Sequence, residues 1–176
     1  MERSPENEGE KKVKISITLP TDSYFMSGIR DFTLSLIKNM TEFSEQWAFR
    51  FQSVVDELCN NAIEHGSAHG DDIKIVFIST PHDSIEIIVE DTNKGKNIVK
   101  ATQLQKIVEE HRKPGYIFSG IRGRGLSKIV AEWTDELEFT DLEDGGIRVR
   151  VKKFLNDPKM KENTSFLEST SHIVLQ

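Results

Sequence analysis

The segment Ser53–Gly66, SVVDELCNNAIEHG, decides the fold, because one predicted helix carries two patterns. Glu57, Asn61 and His65 are four residues apart, so they form one polar row along the helix. Apolar residues at helical spacing form the side next to this row: Val54, Val55, Leu58, Cys59 and Ala62. A polar row at the edge of a core is expected to be half-buried, so it is either ordinary surface or part of a site.

This segment alone leaves both interpretations of the polar row open. In the first, Glu57 and Asn61 are surface residues and His65 caps the helix. In the second, the row lines a cleft, where the carboxylate is a general base and the amide oxygen is a ligand for Mg²⁺. Cys59, the single cysteine, belongs to the apolar side, so we expect a buried thiol and not a nucleophile.

Length and composition predict one globular domain. The chain has 176 residues, of which 36% are hydrophobic, enough to bury a sizeable core. Its net charge of -6 argues against a protein that coats nucleic acid without sequence preference, and we expect no direct nucleic-acid partner. Met1–Lys12 lacks the apolar core of a signal peptide, and no apolar run approaches the roughly 20 residues of a membrane helix. We therefore expect a cytoplasmic protein without membrane association.

Strand and helix patterns alternate on both sides of the quoted segment. Period-two alternation predicts strands, and apolar spacing of three and four predicts helices, with Thr21, Asp22 and Ser23 as candidate caps of the first one. We expect Gly66 to stop the central helix as its C′ residue. The predicted elements are strands at 13–20, 72–79, 84–91, 136–142 and 146–154, and helices at 21–40, 44–65, 98–113 and 123–133.

This order of elements predicts an α+β fold, a two-layer sandwich in which helices cover one face of a mostly antiparallel sheet. We assign residues 13–155 to this domain. Residues 1–12 are predicted to be a disordered N-terminal segment and residues 156–176 a C-terminal tail. The pattern weakens from about 92 to 122, which indicates a long connection that contains one helix.

Two further segments favour the site interpretation. IIVEDTNKG ends a strand at Asp91 and turns at Gly95, which places a carboxylate at a strand tip. GIRGRGLSKIV places Gly123 and Gly125 before a helix, where free backbone amides and the helix dipole favour a phosphate. Each segment alone is weak evidence. Together with a Glu and an Asn one turn apart, they form an ordered set that is hard to obtain by chance.

This set resembles the motifs of the GHKL superfamily of ATP-binding domains. Within it, the chain resembles the bacterial anti-sigma factors that are also serine protein kinases, of the sporulation and general stress response type. The resemblance runs from about Val13 to Phe154. DELCNNAIEHG resembles the N box of the family, EDTNKG its first glycine box and GRGLSKIVAEWTDELEF its second.

The resemblance implies a role for individual residues. Glu57 matches the catalytic base, Asn61 the Mg²⁺ ligand and Asp91 the carboxylate that receives the adenine amino group. Further matches are Gly95 beside adenine, Gly123 and Gly125 beside the phosphates, and Arg30 on the first helix, where the family has an arginine that contacts protein partners. Residues from about 92 to 122 would form the ATP lid. Arg122 at its end and Arg124 just after it are either phosphate contacts or solvated surface.

The function implied by the resemblance is an ATP-dependent anti-sigma factor that phosphorylates a serine on an anti-anti-sigma protein of the STAS type and sequesters a sigma factor. It implies ATP and Mg²⁺ as cofactors and a homodimer. The alternatives are a GHKL module that binds nucleotide and a partner without phosphate transfer, and a small ATPase that acts on another protein. Glu57 favours the kinase. Asn93 in place of the first glycine of the first box, and Ile147 in place of a threonine, favour the binding module.

Overall fold

The computed structural model describes residues 11–95, 98–111, 113 and 125–156. The predictions for the N-terminal segment, the C-terminal tail, Gly123, Arg122 and Arg124 therefore lie wholly or almost wholly outside the described residues. The described strands are β1 Val13–Pro20, β2 Asp72–Thr80, β3 Ser84–Glu90, β4 Glu136–Asp141 and β5 Ile147–Phe154.

The five strands form one sheet in the order β1-β2-β3-β5-β4, and every neighbouring pair is antiparallel. The register places apolar residues opposite one another across all five strands. One such row consists of Ile17, Ile75, Val89, Val149 and Phe139. Because side chains alternate along a strand, each such row lies on a single face of the sheet.

The helices are α1 Met26–Met40, α2 Glu45–Asn61, α3 Ala101–His111 and α4 Ala131–Trp133. A 3₁₀ turn precedes α1, and wider π-helical turns at Ala62–Gly66 and Gly125–Val130 follow α2 and precede α4. Asp22 Oδ1 accepts a hydrogen bond of 2.8 Å from Tyr24 N, and Ser44 Oγ accepts one of 3.4 Å from Trp47 N at the start of α2. These caps satisfy backbone donors that a helix start leaves unpaired.

The core lies between the helices and the apolar face of the sheet. Phe51 on α2 is almost fully buried and packs edge-on to Phe43, with ring centroids 5.1 Å apart. The ring centroids of Phe32 on α1 and Phe77 on β2 are 5.5 Å apart. Burial raises the pKa of the Cys59 thiol to about 12, which keeps it protonated and unreactive. The predicted α+β class is confirmed, and Cys59 is the buried thiol that the sequence predicts.

The other face of the sheet carries charges of alternating sign. Arg148 on β5 lies 2.6 Å from Glu90 on β3, and Arg150 lies 2.8 Å from both Glu86 on β3 and Glu136 on β4. Isolated pairs of this kind contribute about 0–1 kcal/mol each, and a network of them contributes more. This face of the sheet is therefore polar, and the helices cover the opposite, apolar face.

A cluster of aromatic and cationic side chains joins α2 to α4. The Arg50 guanidinium carbon lies 4.6 Å from the Trp47 ring centroid and 5.8 Å from the Trp133 ring centroid. Both distances are within the range of a cation–π interaction. Trp133 is the last residue of α4, so the cluster ties the segment that follows Gly125 to the first turn of α2.

Candidate functional site

A cavity of about 230 Å³ lies where the end of α2 meets the sheet, with α3 nearby. Its polar residues include Asn61, His65 and Asp91. The walls are mainly apolar and include Leu58, Val89, Val99, Leu104, Ile147 and Val149. Apolar walls with a few convergent polar groups are typical of small-molecule sites. A larger cleft of about 470 Å³ lies at the opposite end of β3, away from all these side chains.

Asp91 follows the last residue of β3 and lies in this cavity. Its Oδ1 accepts hydrogen bonds of 2.8 Å from Asn93 N and 3.2 Å from Ile147 N. Burial raises the pKa of Asp91, and these two backbone donors oppose the rise. The two bonds fix the carboxylate by one oxygen, and its Oδ2 lies against Gly66. Asp91 is thus a fixed, partly buried hydrogen-bond acceptor.

The structure corrects the predicted role of Gly66. A C′ glycine stops a helix by taking a left-handed backbone, but the described glycines with positive φ are Gly70 and Gly145. Gly66 is the last residue of a π-helical turn and is buried. A Cβ added to Gly66 would overlap the Asp91 carboxylate. Glycine is therefore required here by close approach to Asp91 and not by the helix end.

Glu57 and Asn61 form a hydrogen-bonded pair at the end of α2. The Asn61 side-chain amide donates bonds of 2.8 Å to the Glu57 carbonyl and of 2.8 Å to Glu57 Oε1. Both residues are partly buried, as expected of the polar row, whereas His65 is exposed. Within the described part of the chain, nothing donates a hydrogen bond to Asn61 Oδ1. That oxygen is the kind of ligand that a hard cation takes.

Gly125 brings the second glycine segment against this pair. A Cβ added to Gly125 would overlap the Glu57 carboxylate, so the backbone there lies directly on the side chain. The structure therefore places Glu57, Asn61, Asp91 and Gly125 at one location, although they are up to 68 positions apart in the sequence. The folded chain brings these four residues together, and the separate sequence motifs do not show that they are neighbours.

Four other predicted residues lie elsewhere or outside the described chain. Gly95 packs against the His65 carbonyl and borders a neighbouring cavity of about 420 Å³. Arg30 lies on the exposed side of α1, where its Nε donates a 2.7 Å bond to Asp56, the residue before Glu57. Gly123 and Arg124 lie outside the described residues.

Asp71 and Thr92 support the site, and the sequence did not indicate them. Thr92, next to Asp91, donates a 2.6 Å hydrogen bond from its hydroxyl to Asp71 Oδ2, which also accepts a 3.1 Å bond from Ala68 N. The Thr92 bond, together with that from Ala68, lowers the pKa of Asp71. These bonds hold the turn after the N box to the strand end that carries Asp91. In the sequence, Asp71 is one of several turn-forming residues and gives no specific signal.

The two departures from the family motifs have different consequences. Asn93 takes a left-handed backbone with φ of 48°, which asparagine tolerates better than other non-glycine residues. Ile147 lacks the threonine hydroxyl, but its backbone N–H is one of the two donors to Asp91, and its side chain lines the cavity. The backbone part of the site is therefore present despite both substitutions.

Comparison with known proteins gives a family for this arrangement. The family model described as the histidine kinase-like ATPase domain matches residues 20–153. A comparison with curated proteins gives no match. The chain belongs to the histidine kinase-like ATPase domain family, which is of the GHKL type. Membership implies ATP as the ligand of the domain. In the described residues, no helix is both long enough and apolar enough to cross a bilayer.

Proposed function

We propose that the chain is an ATP-dependent serine protein kinase that also acts as an anti-sigma factor. One observation carries the proposal: the Glu57 carboxylate is held by Asn61 beside the cavity that contains Asp91. A carboxylate fixed next to a nucleotide site is suited to accept a proton from a hydroxyl that attacks a phosphate. The family resemblance of the three boxes supports the choice of a protein serine as that hydroxyl.

Asp91 is suited to select the base of the nucleotide. Its Oδ1 is occupied by two backbone donors, so Oδ2 is the oxygen available to an amino group in the cavity. The apolar walls suit a flat heteroaromatic ring, because they exclude water from its faces. An exocyclic amino group matches a carboxylate acceptor, whereas a carbonyl oxygen in the same place would be repelled.

Asn61 is suited to hold Mg²⁺ through Oδ1, since its own amide hydrogens are already used by Glu57. Mg²⁺ neutralises charge on phosphate oxygens when it is bound. Asn61 also orients Glu57 through the 2.8 Å bond to Oε1. Glu57 remains the proton acceptor at the serine hydroxyl, and Gly125 lies against its carboxylate. Glu57 and Asn61 thus act as a unit.

The partners follow from the resemblance and from the position of Arg30. Arg30 and Asp56 form an exposed ion pair on the surface of α1 and α2, close in sequence to the proposed base. A protein docked on this surface would lie near Glu57. We propose that an anti-anti-sigma protein is the phosphate acceptor and that a sigma factor is the second partner. A pull-down from lysate with ATP, followed by identification of the bound proteins, tests both.

A nucleotide-binding module without kinase activity is the second candidate. Ile147 in place of the threonine of the family favours it, because isoleucine has no hydroxyl that could contact the base. Transfer of radiolabelled phosphate from ATP to the captured partner separates the two functions. Release of phosphate with no acceptor present would instead indicate the small ATPase.

The first prediction concerns Asp91→Asn. The variant keeps the shape and an acceptor for the two backbone donors, but places an amide N–H₂ where Oδ2 meets the ligand. Two facing donors repel, so ATP affinity should fall by about tenfold to a hundredfold. Calorimetric titration with Mg·ATP measures this. Asp83→Asn, the same change at the opposite end of β3, is the control and should bind like the parent. Equal affinity in Asp91→Asn would remove the base contact.

The second prediction is that the protein is a homodimer. β1 is an edge strand, so one side of its backbone has no strand neighbour in the described sheet. Val13 on this strand is 37% exposed. Such an edge is a ready surface for pairing with a second copy. Light scattering at micromolar concentration should give about twice the chain mass of 20.1 kDa. A mass equal to that of one chain contradicts the prediction.

A further inference from the structure

Asn93 has an uncommon combination of backbone and burial. Its φ is 48°, in the left-handed region where glycine is the usual residue, yet its side chain is enclosed and the residue is only 6% exposed. A left-handed backbone position in a surface turn does not require a side chain, and it does not require a buried amide. We therefore expect the Asn93 side chain to make contacts that glycine could not make.

The Asn93 side chain pairs with the backbone of Val99 in both directions. Its Nδ2 donates a 2.9 Å hydrogen bond to the Val99 carbonyl, and its Oδ1 accepts a 3.2 Å bond from the Val99 N–H. Both the N–H and the carbonyl of Val99 are thus paired with one side chain. This is the pairing that a neighbouring strand would give, supplied here across six positions.

Val99 is part of the wall of the nucleotide cavity. Two residues further on, the N–H of Ala101 at the start of α3 donates a 3.1 Å bond to Asp141 on β4. The chain at Val99 is therefore held on one side by Asn93 and on the other through Asp141. These contacts fix the position of the wall.

Asn93 is also connected to the acceptor in the cavity. Its own backbone N–H is one of the two donors to Asp91 Oδ1, at 2.8 Å. One residue thus holds Asp91 through its main chain and Val99 through its side chain. Asn93 therefore links the polar acceptor directly to the apolar wall.

We propose that Asn93 is a positioning residue for nucleotide selection, which presets the Val99 wall against Asp91 and so sets the affinity for the base. The inference rests on the proposed use of the cavity as a nucleotide site and goes beyond it. A site that is preformed loses less conformational freedom when a ligand binds, which increases affinity. The effect is expected on the base and not on the phosphates, because Asp91 is the proposed acceptor for the base and Val99 belongs to the apolar wall.

Asn93→Gly is the main test. Glycine accepts a φ of 48° without strain, so the turn is kept and only the link to Val99 is removed. Loss of two buried hydrogen bonds should weaken binding by about tenfold. Calorimetric titration with adenosine, ADP and Mg·ATP should show the same factor for all three, since all share the base. A structural defect in the phosphate region would give a factor that grows with the number of phosphates.

Two further variants make the test specific. His82→Gly removes a side chain from the other described non-glycine residue with positive φ, at the turn between β2 and β3, and should leave nucleotide affinity unchanged. Asn93→Asp keeps the side-chain volume but opposes a carboxylate oxygen to the Val99 carbonyl. It should bind no better than Asn93→Gly. An Asn93→Asp variant with the affinity of the parent would show that the amide only fills space.

Amide hydrogen exchange at Val99 gives a readout that does not require nucleotide. Exchange should be faster in Asn93→Gly than in the parent, because the Val99 N–H loses its acceptor. Equal exchange, or equal affinity for adenosine, overturns the proposed role of Asn93 and leaves the nucleotide site intact. Failure of the parent to bind any adenine nucleotide overturns the proposed function itself, and is distinguished because it does not depend on the variant.

Discussion

Glu57→Gln is expected to bind ATP as tightly as the parent and to transfer phosphate about 10²–10⁴-fold more slowly. Glutamine keeps the size of the side chain and an oxygen that can accept the bond from Asn61, but it cannot take up a proton. ATP would still meet Asp91 and the apolar walls, so binding is preserved. Radiolabel transfer to the proposed anti-anti-sigma partner at saturating ATP measures the rate, and calorimetry measures the affinity.

Glu64→Gln is the matched control for this experiment. Glu64 lies seven residues further along, in the π-helical turn after α2, and its side chain is 64% exposed. It should transfer phosphate at the parental rate. A Glu57→Gln variant that is as fast as the parent would mean that the polar row is ordinary surface. A parent that modifies no captured partner would favour the binding module.

Gly66→Ala is expected to weaken nucleotide binding by about 10²-fold or more. The added Cβ would overlap Oδ2, Cγ and Cβ of Asp91, and that side chain is too short to avoid it. Asp91 must then leave its two backbone donors, or the π-helical turn must move. Overpacking of this kind costs about 1–3 kcal/mol in stability, so a folded protein with an altered site should result. Calorimetry and thermal unfolding measure the two effects separately.

Gly28→Ala is the control for glycine replacement. Gly28 lies within α1, and an added Cβ would have no atom within 4 Å. The variant should gain about 0.5–1 kcal/mol in stability, because alanine is the better helix residue, and should bind ATP unchanged. Parental ATP affinity in Gly66→Ala would contradict the position assigned to Asp91 in the site.

The fold was predictable because its signals are local and periodic. The hairpin of β2 and β3 follows from two runs of alternating residues around one turn, and the structure differs from the predicted strand ends by a single residue. The first strand has the predicted bounds from Val13 to Pro20. Glu57 and Asn61 were predicted for a similar reason, because four-residue spacing on a helix determines that two side chains are neighbours.

The contacts that complete the site were not predictable, because they join residues distant in sequence or depend on backbone position. The overlap between Gly66 and Asp91 spans 25 positions, and the bond between Thr92 and Asp71 spans 21. In the sequence, glycine at position 66 fits a helix-stop rule equally well, and only the backbone angle distinguishes the two roles. Partner surfaces present the same difficulty, since Arg30 is recognisable only by resemblance.

The aromatic cluster around Arg50 contains the residues that give the protein its intrinsic tryptophan fluorescence. The sequence contains two tryptophans, and both lie beside that one guanidinium. All tryptophan emission therefore originates at the contact between α2 and α4. Because α4 continues directly from the segment that begins at Gly125, the environment of Trp133 is mechanically linked to the backbone that lies on Glu57. The colour and intensity of this emission are therefore expected to change when the backbone at Gly125 moves, without any attached label.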